Sequence, residues 1–203
     1  MAIVMFWNIK GSPLYNEIGT LCSDYNVDIA IFAESQIHPS SLLTALNSID
    51  AGHRYFSQIP AIASRIQFFT RYSLEWIEPR FDSRHVSMRL LKHPLGGELL
   101  IVAVHLQSKL YQKPEEQEFH VRHLMEDIAK EEGSMGHTRT MVIGDFNMDP
   151  FENGMITADG FHAIMDKKIA ERESRKIGGK SYRFFYNPMW SRLGDESAGP
   201  CGT

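Results

Sequence analysis

Four short apolar runs in this sequence each end at or beside a polar side chain. The runs cover residues 2–9, 28–33, 98–106 and 140–143. Short apolar runs bounded by turn residues are typical of buried strands. In chain order, the polar residues at their ends are Asn8, Glu34, His105, Asp145 and Asn147. Because ligands of α/β proteins bind at strand ends and in the loops that follow, we expect these side chains to converge.

Amphipathic helices are predicted between the apolar runs. Apolar residues recur at helical spacing over residues 14–25, 39–49 and 121–129, and Gly133 is expected to end the third of these helices. Further strands are expected at residues 65–71, 74–77 and 85–91, with a hairpin turn at Gly96-Gly97. A chain of 203 residues with this mixture predicts one α/β domain that covers residues 1–203.

The polar residues at the strand ends suit a hard cation and a phosphate. Mg²⁺ prefers oxygen ligands and keeps several waters, so Glu34 fits a direct ligand. Asp145 could orient or deprotonate an attacking water, and Asn147 could hold a phosphate oxygen without adding charge. His105 could donate to the phosphate or to the leaving oxygen. These roles compete with ordinary ones, since a Glu at a strand end is commonly a surface residue and a His in an apolar strand is commonly packed in the core.

Four motifs that contain these residues occur in one order along the chain. They are Phe6-Trp7-Asn8-Ile9, Ile31-Phe32-Ala33-Glu34, His105-Leu106-Gln107-Ser108-Lys109 and Val142-Ile143-Gly144-Asp145-Phe146-Asn147. In this the sequence resembles the endonuclease/exonuclease/phosphatase family, whose members include pancreatic-type deoxyribonuclease, abasic-site endonucleases, inositol polyphosphate 5-phosphatases and sphingomyelinases.

The resemblance implies a four-layer α/β/β/α sandwich, with two mixed β-sheets packed face to face and flanked by helices. It also implies hydrolysis of a phosphate ester by in-line attack of water, dependent on Mg²⁺ or Mn²⁺. On this basis Asn8, Glu34 and Asp145 would form the metal site. His105 would contact the phosphate or transfer a proton, while Asp145 and Asn147 would activate the nucleophile and bind the transition state.

One family motif is missing from this sequence. The family pattern ends in Ser-Asp-His, and the chain contains no Asp-His dipeptide. We therefore expect a domain whose C-terminal strands are missing, through truncation or through completion of the site by another subunit. A non-catalytic phosphate- or nucleic-acid-binding module, or an inactive fragment of such an enzyme, is the alternative, because proton transfer by such a His contributes roughly 10²- to 10⁴-fold.

The charge distribution bears on the substrate. The formal net charge is -4, yet residues 167–183 carry seven Lys and Arg against two Glu. This basic stretch continues into aromatic residues, as in surfaces that bind single-stranded nucleic acid, although a charged loop followed by a core strand would look the same. Lys109, Arg71 and Arg183 are the candidate phosphate contacts.

The expected substrate is thus a phosphate ester, with DNA or RNA favoured and a nuclease-like phosphodiesterase as the activity. A phosphomonoesterase acting on a small-molecule or lipid phosphate is the second alternative. No membrane association is expected, because the apolar N-terminus is too short to span a bilayer and lacks the basic flank of a signal peptide. Two cysteines, Cys22 and Cys201, are too few for a disulfide framework and indicate the cytoplasm. The sequence leaves the oligomeric state open.

Overall fold

A computed structural model of the chain describes residues 2–49, 54–60, 64–110 and 113–189. The helices are α1 (Tyr15–Asp24), α2 (Pro39–Ser48), α3 (Pro114–Met135), α4 (Asn153–Ile156) and α5 (Lys167–Ala170). The strands are β1 (Val4–Asn8), β2 (Ile29–Ala33), β3 (Phe56–Gln58), β4 (Ile66–Thr70), β5 (Ile77–Asp82), β6 (Val86–His93), β7 (Gly97–His105), β8 (Thr140–Asp145), β9 (Ala163–Ile164), β10 (Ser174–Ile177), β11 (Lys180–Arg183) and β12 (Phe185–Tyr186). Within the described ranges, no helix is both long and apolar enough to cross a membrane.

The chain divides into two compact units. The first comprises Met1–Leu106 and Glu132–Phe146, and the second comprises Gln107–Glu131 and Asn147–Thr203. The expectation of one domain over residues 1–203 stays a prediction.

Two four-stranded sheets form the centre of the first unit. The strand order of one sheet is β1-β2-β4-β3, in which only β1 and β2 are parallel. The order of the other is β5-β6-β7-β8, in which only β7 and β8 are parallel. Both sheets are therefore mixed, as the sequence predicts.

The two sheets pack face to face through side chains that alternate along their strands. This inter-sheet core contains Ile29, Ile31, Ile66 and Phe68 from one sheet and Ile77, Leu91, Ile101 and Ala103 from the other, with Val4, Phe6, Met141 and Ile143 packed against it. Burial of each large apolar side chain contributes roughly 1.5–3 kcal/mol. An ion pair lies beside this core, where buried Arg89 donates to Asp82 at 2.9 and 3.2 Å and stacks over Phe68.

Helices contact both sheets on the sides away from the inter-sheet core. On the first sheet, Ala30 and Phe32 of β2 point to the opposite face from Ile29 and Ile31, where they pack with Ile18, Cys22, Leu42 and Leu46 of α1 and α2. On the second sheet, the last turn of α3 is held by Ser134, which accepts from Arg80 of β5 at 2.7 Å, and by Glu132, which bonds Thr140 of β8. The predicted α/β/β/α sandwich is confirmed.

The second unit contains small sheets and short helices. Strands β9 and β12 form a parallel pair, and β10 and β11 form an antiparallel hairpin. His162, just before β9, is buried, and its Nδ1 donates to the carbonyl of Arg183 at 2.9 Å. His162 is therefore a packed residue of the second unit.

Two local predictions are wrong. Residues 74–77 were expected to form a strand, but Leu74–Trp76 is a 3-10 turn and β5 begins only at Ile77. The third helix does not end at Gly133, because α3 continues to Met135 and Gly136 follows with a φ of 72°. A glycine with positive φ is the usual residue just after a helix, so the glycine three positions later ends the element.

Candidate metal-phosphate site

Three of the predicted site residues end rows of side chains that face the inter-sheet core. Successive side chains of a strand point to opposite faces, so Asn8 continues the row of Val4 and Phe6 on β1. His105 in the same way continues the row of Ile101 and Ala103 on β7, and Asp145 continues that of Met141 and Ile143 on β8. The candidate site therefore caps one end of the core.

Strand pairing fixes the neighbours of these residues. His105 is directly opposite Asp145 in the parallel pair β7–β8, and Asn8 is opposite Ala33 in the parallel pair β1–β2. Since parallel strands end at the same edge, Glu34, which follows Ala33, lies at the same edge as Asn8. Each parallel pair thus brings two of these polar strand ends to one edge of its own sheet.

Glu34 leaves the strand with a left-handed backbone. Its φ is 50°, a conformation that costs a residue with a side chain about 1–3 kcal/mol and is concentrated at functional sites. Its backbone N–H donates to the carbonyl of Arg65 at 3.2 Å, and Gly11 donates to the carbonyl of Glu34 at 2.9 Å. The backbone of Glu34 is therefore fixed by hydrogen bonds through both its N–H and its carbonyl.

A hydrogen-bonded chain joins the four side chains. Asn8 Nδ2 donates to Asp145 Oδ2 at 3.0 Å and to Glu34 Oε1 at 3.4 Å. His105 Nε2 lies 2.9 Å from the same Glu34 oxygen. Asn8 thus connects the first sheet with the second, and the two carboxylates share one amide donor.

The hydrogen bond to Glu34 shows which nitrogen of the His105 ring carries a hydrogen. The side chain of His105 is 5% exposed, and Nε2 must carry a proton to donate to the carboxylate. The contact with Glu34 therefore requires a hydrogen on Nε2, and among the described residues Nδ1 has no hydrogen-bond partner.

His85 is a member of this cluster that the sequence prediction missed. Its Nδ1 donates to the carbonyl of His105 at 2.9 Å, and the two rings are 6.3 Å apart. Burial lowers the pKa of His85, and the charges of Arg65 and Arg84 act in the same direction against the hydrogen bond to His105. His85 directly precedes the antiparallel strand β6 and does not follow the end of a parallel strand, so a search for polar residues at strand ends does not find it.

Arg71 lies away from this cluster. It follows β4, which runs antiparallel to β2 and pairs Thr70 with Ile29. The end of β4 is therefore at the edge where β2 starts, and Glu34 is at the other edge. The guanidinium of Arg71 lies 4.9 Å from the ring centroid of Tyr55 instead. Arg71 therefore does not lie in the cluster around Glu34, and its role as a phosphate contact stays a prediction.

The remaining predicted site residues belong to the second unit. Lys109 pairs with Asp149 at 3.3 Å and with Glu152, and these bonds, above all that to Glu152, raise the pKa of Lys109. Asn147 has a φ of 51°, and its carbonyl accepts from Gln117 at 3.3 Å.

Arg183, also in the second unit, stacks over the ring of Phe185 at 4.2 Å. For these three residues the roles in phosphate binding or catalysis stay predictions.

The oxygen atoms of the cluster fit a hydrated hard cation. Among the described residues, no three His, Cys, Asp or Glu side chains form a ready-made cation site. Mg²⁺ needs only one or two carboxylates, because waters and substrate oxygens complete its shell. The bonded oxygens of Glu34 and Asp145 are at most about 6.4 Å apart, since one Asn8 nitrogen bonds both, and this separation suits two carboxylates around one hydrated ion. Asn8 Oδ1, which accepts from Lys10 at 3.1 Å, is a third oxygen.

The arrangement of sheets and helices matches several solved structures. A protein of the endonuclease/exonuclease/phosphatase family from Leptotrichia buccalis matches over 91% of this chain and 86% of its own, at 12% identity and a TM-score of 0.53. The chain has the endonuclease/exonuclease/phosphatase fold. The catalytic domain of human Nocturnin, solved with a bound sulfate anion, matches over 77% of this chain and 69% of its own, at 13% identity and a TM-score of 0.54.

Beta toxin from Staphylococcus aureus, solved with bound magnesium ions, shares the endonuclease/exonuclease/phosphatase fold. It matches 75% of this chain and 68% of its own, at 11% identity and a TM-score of 0.50. Other matches are longer proteins, since the chain spans 60% of the endonuclease domain of the TRAS1 retrotransposon and 48% of TDP2 from Caenorhabditis elegans. No family model and no curated sequence matches the chain. At these identities the structural matches establish the fold.

Proposed function

We propose that this protein is a divalent-metal-dependent phosphoesterase that hydrolyses phosphodiester bonds of nucleic acid. The observation that carries the proposal is the bridge from Asn8 to both Glu34 and Asp145 at the end of the inter-sheet core. Two carboxylates held this close repel each other, and a hard cation between them would relieve that repulsion. The fold that contains them is shared with beta toxin, which was solved with bound magnesium.

Glu34 is the proposed direct ligand of Mg²⁺ or Mn²⁺, with Asn8 and Asp145 beside it. When bound, the cation would neutralise the charge that develops on the phosphate oxygens. The proton on His105 Nε2 holds the Glu34 carboxylate in place in the described structure. We therefore assign to His105 the orientation of Glu34, together with contact to the phosphate or proton transfer to the leaving oxygen.

Asp145 is the proposed base of the reaction. Its carboxylate would accept a proton from the attacking water while the water oxygen bonds to phosphorus and the bond to the leaving oxygen breaks, in line with the attack. Asn147 follows two residues later in the chain, and its proposed role in binding a phosphate oxygen rests on the sequence. Lys109 would have to leave Asp149 and Glu152 before it could bind a phosphate.

Isosteric variants test this assignment. We expect Glu34→Gln and Asp145→Asn each to lower Mg²⁺-dependent cleavage of single- and double-stranded DNA, of RNA and of bis(p-nitrophenyl) phosphate by at least about 10²-fold. Glu17→Gln, which neutralises an exposed carboxylate on α1, is the matched control and should retain full activity. Addition of EDTA should abolish cleavage by the unmodified protein.

The same assay separates the alternatives. Faster cleavage of p-nitrophenyl phosphate than of any diester would indicate a phosphomonoesterase. Absence of cleavage with every substrate, in a protein that binds Mn²⁺, would leave a phosphate-binding module. Equal rates for the unmodified protein and Asp145→Asn would contradict the catalytic role of Asp145.

We place this activity in the cytoplasm. Burial raises the pKa of the Cys22 thiol to about 11, which keeps this free cysteine protonated and unreactive at neutral pH. A free thiol agrees with a reducing compartment. Cys201 lies outside the described residues.

A further inference from the structure

The hairpin of β10 and β11 is an exposed basic element of the second unit. Gly178 and Gly179 form its turn, with φ values of 56° and 84°, and positive φ at both central residues is the signature of a tight hairpin turn. The ten residues from Ser174 to Arg183 contain Arg175, Lys176, Lys180 and Arg183 and no Asp or Glu. The hairpin therefore carries a local charge of +4 in a protein whose net charge is -4.

The side chains of the hairpin have little to pack against. Every residue from Ser174 to Ser181 is exposed, and Ile177, the one aliphatic side chain in the hairpin, is 41% exposed. Within the part of the chain that the structure describes, β10 and β11 pair with no third strand. An isolated two-stranded hairpin is marginally stable. Its composition therefore agrees with a binding element better than with a structural one.

The strand register places the charges around an aromatic ring. Arg175 is directly opposite Tyr182, and Lys180 lies with its Nζ 5.0 Å from the centroid of the same ring. Lys176 and Arg183 belong to the other face, because side chains alternate along a strand. Among the described residues, no carboxylate pairs with Arg175, Lys176 or Lys180. One face thus combines two cations with a ring, and the other adds further cations.

We propose that the β10–β11 hairpin is a nucleic-acid-binding arm. Its cations would contact successive phosphates, and Tyr182 offers a ring on which a base can stack. The positive charge of the hairpin is complementary to a polyanion. A flat face of cations and an aromatic ring fits unstacked bases better than it fits a lipid headgroup. The inference deepens the proposed function, on which it rests for the fate of the bound strand, but binding by the arm requires neither the metal nor the cluster around Glu34.

Fluorescence anisotropy of a labelled 20-nucleotide single-stranded DNA, recorded in EDTA, tests the arm without cleavage. The triple variant Arg175→Gln/Lys176→Gln/Lys180→Gln should bind about 10- to 100-fold more weakly at 0.1 M salt. The slope of log affinity against log salt should become less negative by about 2, since each phosphate contact to a single strand contributes about 0.7. Thermal unfolding should be close to that of the unmodified protein, because all three side chains are exposed.

A matched control removes the same charge elsewhere. Lys92→Gln/Arg122→Gln/Lys130→Gln also removes one Arg and two Lys from exposed positions, and it should bind the DNA as the unmodified protein does. The charge-conserving variant Arg175→Lys/Lys176→Arg/Lys180→Arg should also bind normally, which separates an effect of charge from an effect of folding.

An equal loss of DNA affinity in the hairpin variant and in the control variant with three Gln substitutions would overturn the proposal, since the effect would then be one of net charge. So would normal binding by the hairpin variant, or hairpin-dependent binding to phosphatidylserine vesicles without binding to DNA. A protein that binds DNA through the hairpin but cleaves nothing would refute only the proposed activity.

Discussion

Asn8 is the residue on which the candidate site depends most directly. Its amide nitrogen bonds both carboxylates, and its amide oxygen bonds the backbone of Lys10. The carboxylate of Glu34, a residue with left-handed φ, is also bonded by the buried ring of His105. In the proposed reaction these contacts would hold the oxygens before the substrate binds, and such preorganisation lowers reaction barriers.

His162 provides a prediction about pH at the same scale. Burial lowers its pKa, the Arg175 charge acts in the same direction, and the bond to the Arg183 carbonyl opposes them. The folded state therefore favours the neutral ring, whereas an unfolded histidine titrates near pH 6.5. Its stabilising contribution is complete above about pH 6.5 and is lost as the pH falls through the folded pKa.

We expect His162→Asn to reduce the loss of stability between pH 7 and pH 5. Asn can donate to the Arg183 carbonyl from the position of Nδ1, and it tolerates the φ of 47° at this residue. Urea unfolding at the two pH values measures the change. His120→Asn, on an exposed face of α3, should keep the pH dependence of the unmodified protein. Parallel curves for the unmodified protein and His162→Asn would refute this account.

At the scale of elements, the close pairing of β7 and β8 depends on Gly144. A Cβ at this position would lie 2.0 Å from the carbonyl oxygen of Val104, the residue opposite it. The next pair along these strands is His105 and Asp145. Any side chain at Gly144 would therefore separate the strands directly beside the candidate site.

Gly144→Ala should lower the free energy of unfolding by about 1–3 kcal/mol, the usual cost of overpacking. Gly133→Ala is an informative contrast, because the added Cβ meets no atom within 4 Å and the residue lies within α3. That variant should gain about 0.5–1 kcal/mol from the preference of helices for alanine. Urea unfolding of both variants measures these opposite changes in the free energy of unfolding. If Gly133→Ala destabilised the protein as much as Gly144→Ala does, the packing explanation would be contradicted.

Elements with strong apolar patterns are predictable from this sequence, and weakly patterned edge elements are not. The runs that became β1, β2, β7 and β8 are compact and apolar, so their positions are predicted within about two residues. Most of strand β5 was not predicted, because it contains Pro79, charged residues and a bulge between Pro79 and Phe81. All of these are features of edge strands. Strand β3 has only three residues, too few for a pattern.

The candidate site shows the same limit in another form. Residues that end parallel strands were expected to lie close together, and they do, since neighbouring parallel strands end at one edge of a sheet. His85 was missed, and the distance of Arg71 from the cluster was not foreseen, because sequence does not reveal which strands run antiparallel. An antiparallel strand reverses the edge at which its end lies. The pairing of Lys109 with Asp149 and Glu152 is equally invisible, because long side chains choose partners only in the folded structure.

At the scale of the molecule, the candidate site depends on the packing of the two sheets against each other. Two mixed sheets pack face to face, and the polar residues at one end of their shared core come from both sheets. We propose that Glu34 and Asp145, which come from different sheets and bond the same Asn8 amide, serve one divalent cation.

Calorimetric titration with Mn²⁺ tests this shared binding, because it does not depend on substrate or turnover. We expect Glu34→Gln and Asp145→Asn each to weaken Mn²⁺ binding by at least about tenfold, with effects that are not additive in the double variant, and we expect Glu17→Gln to have no effect. Wild-type affinity for Mn²⁺ in either single variant would contradict this proposal.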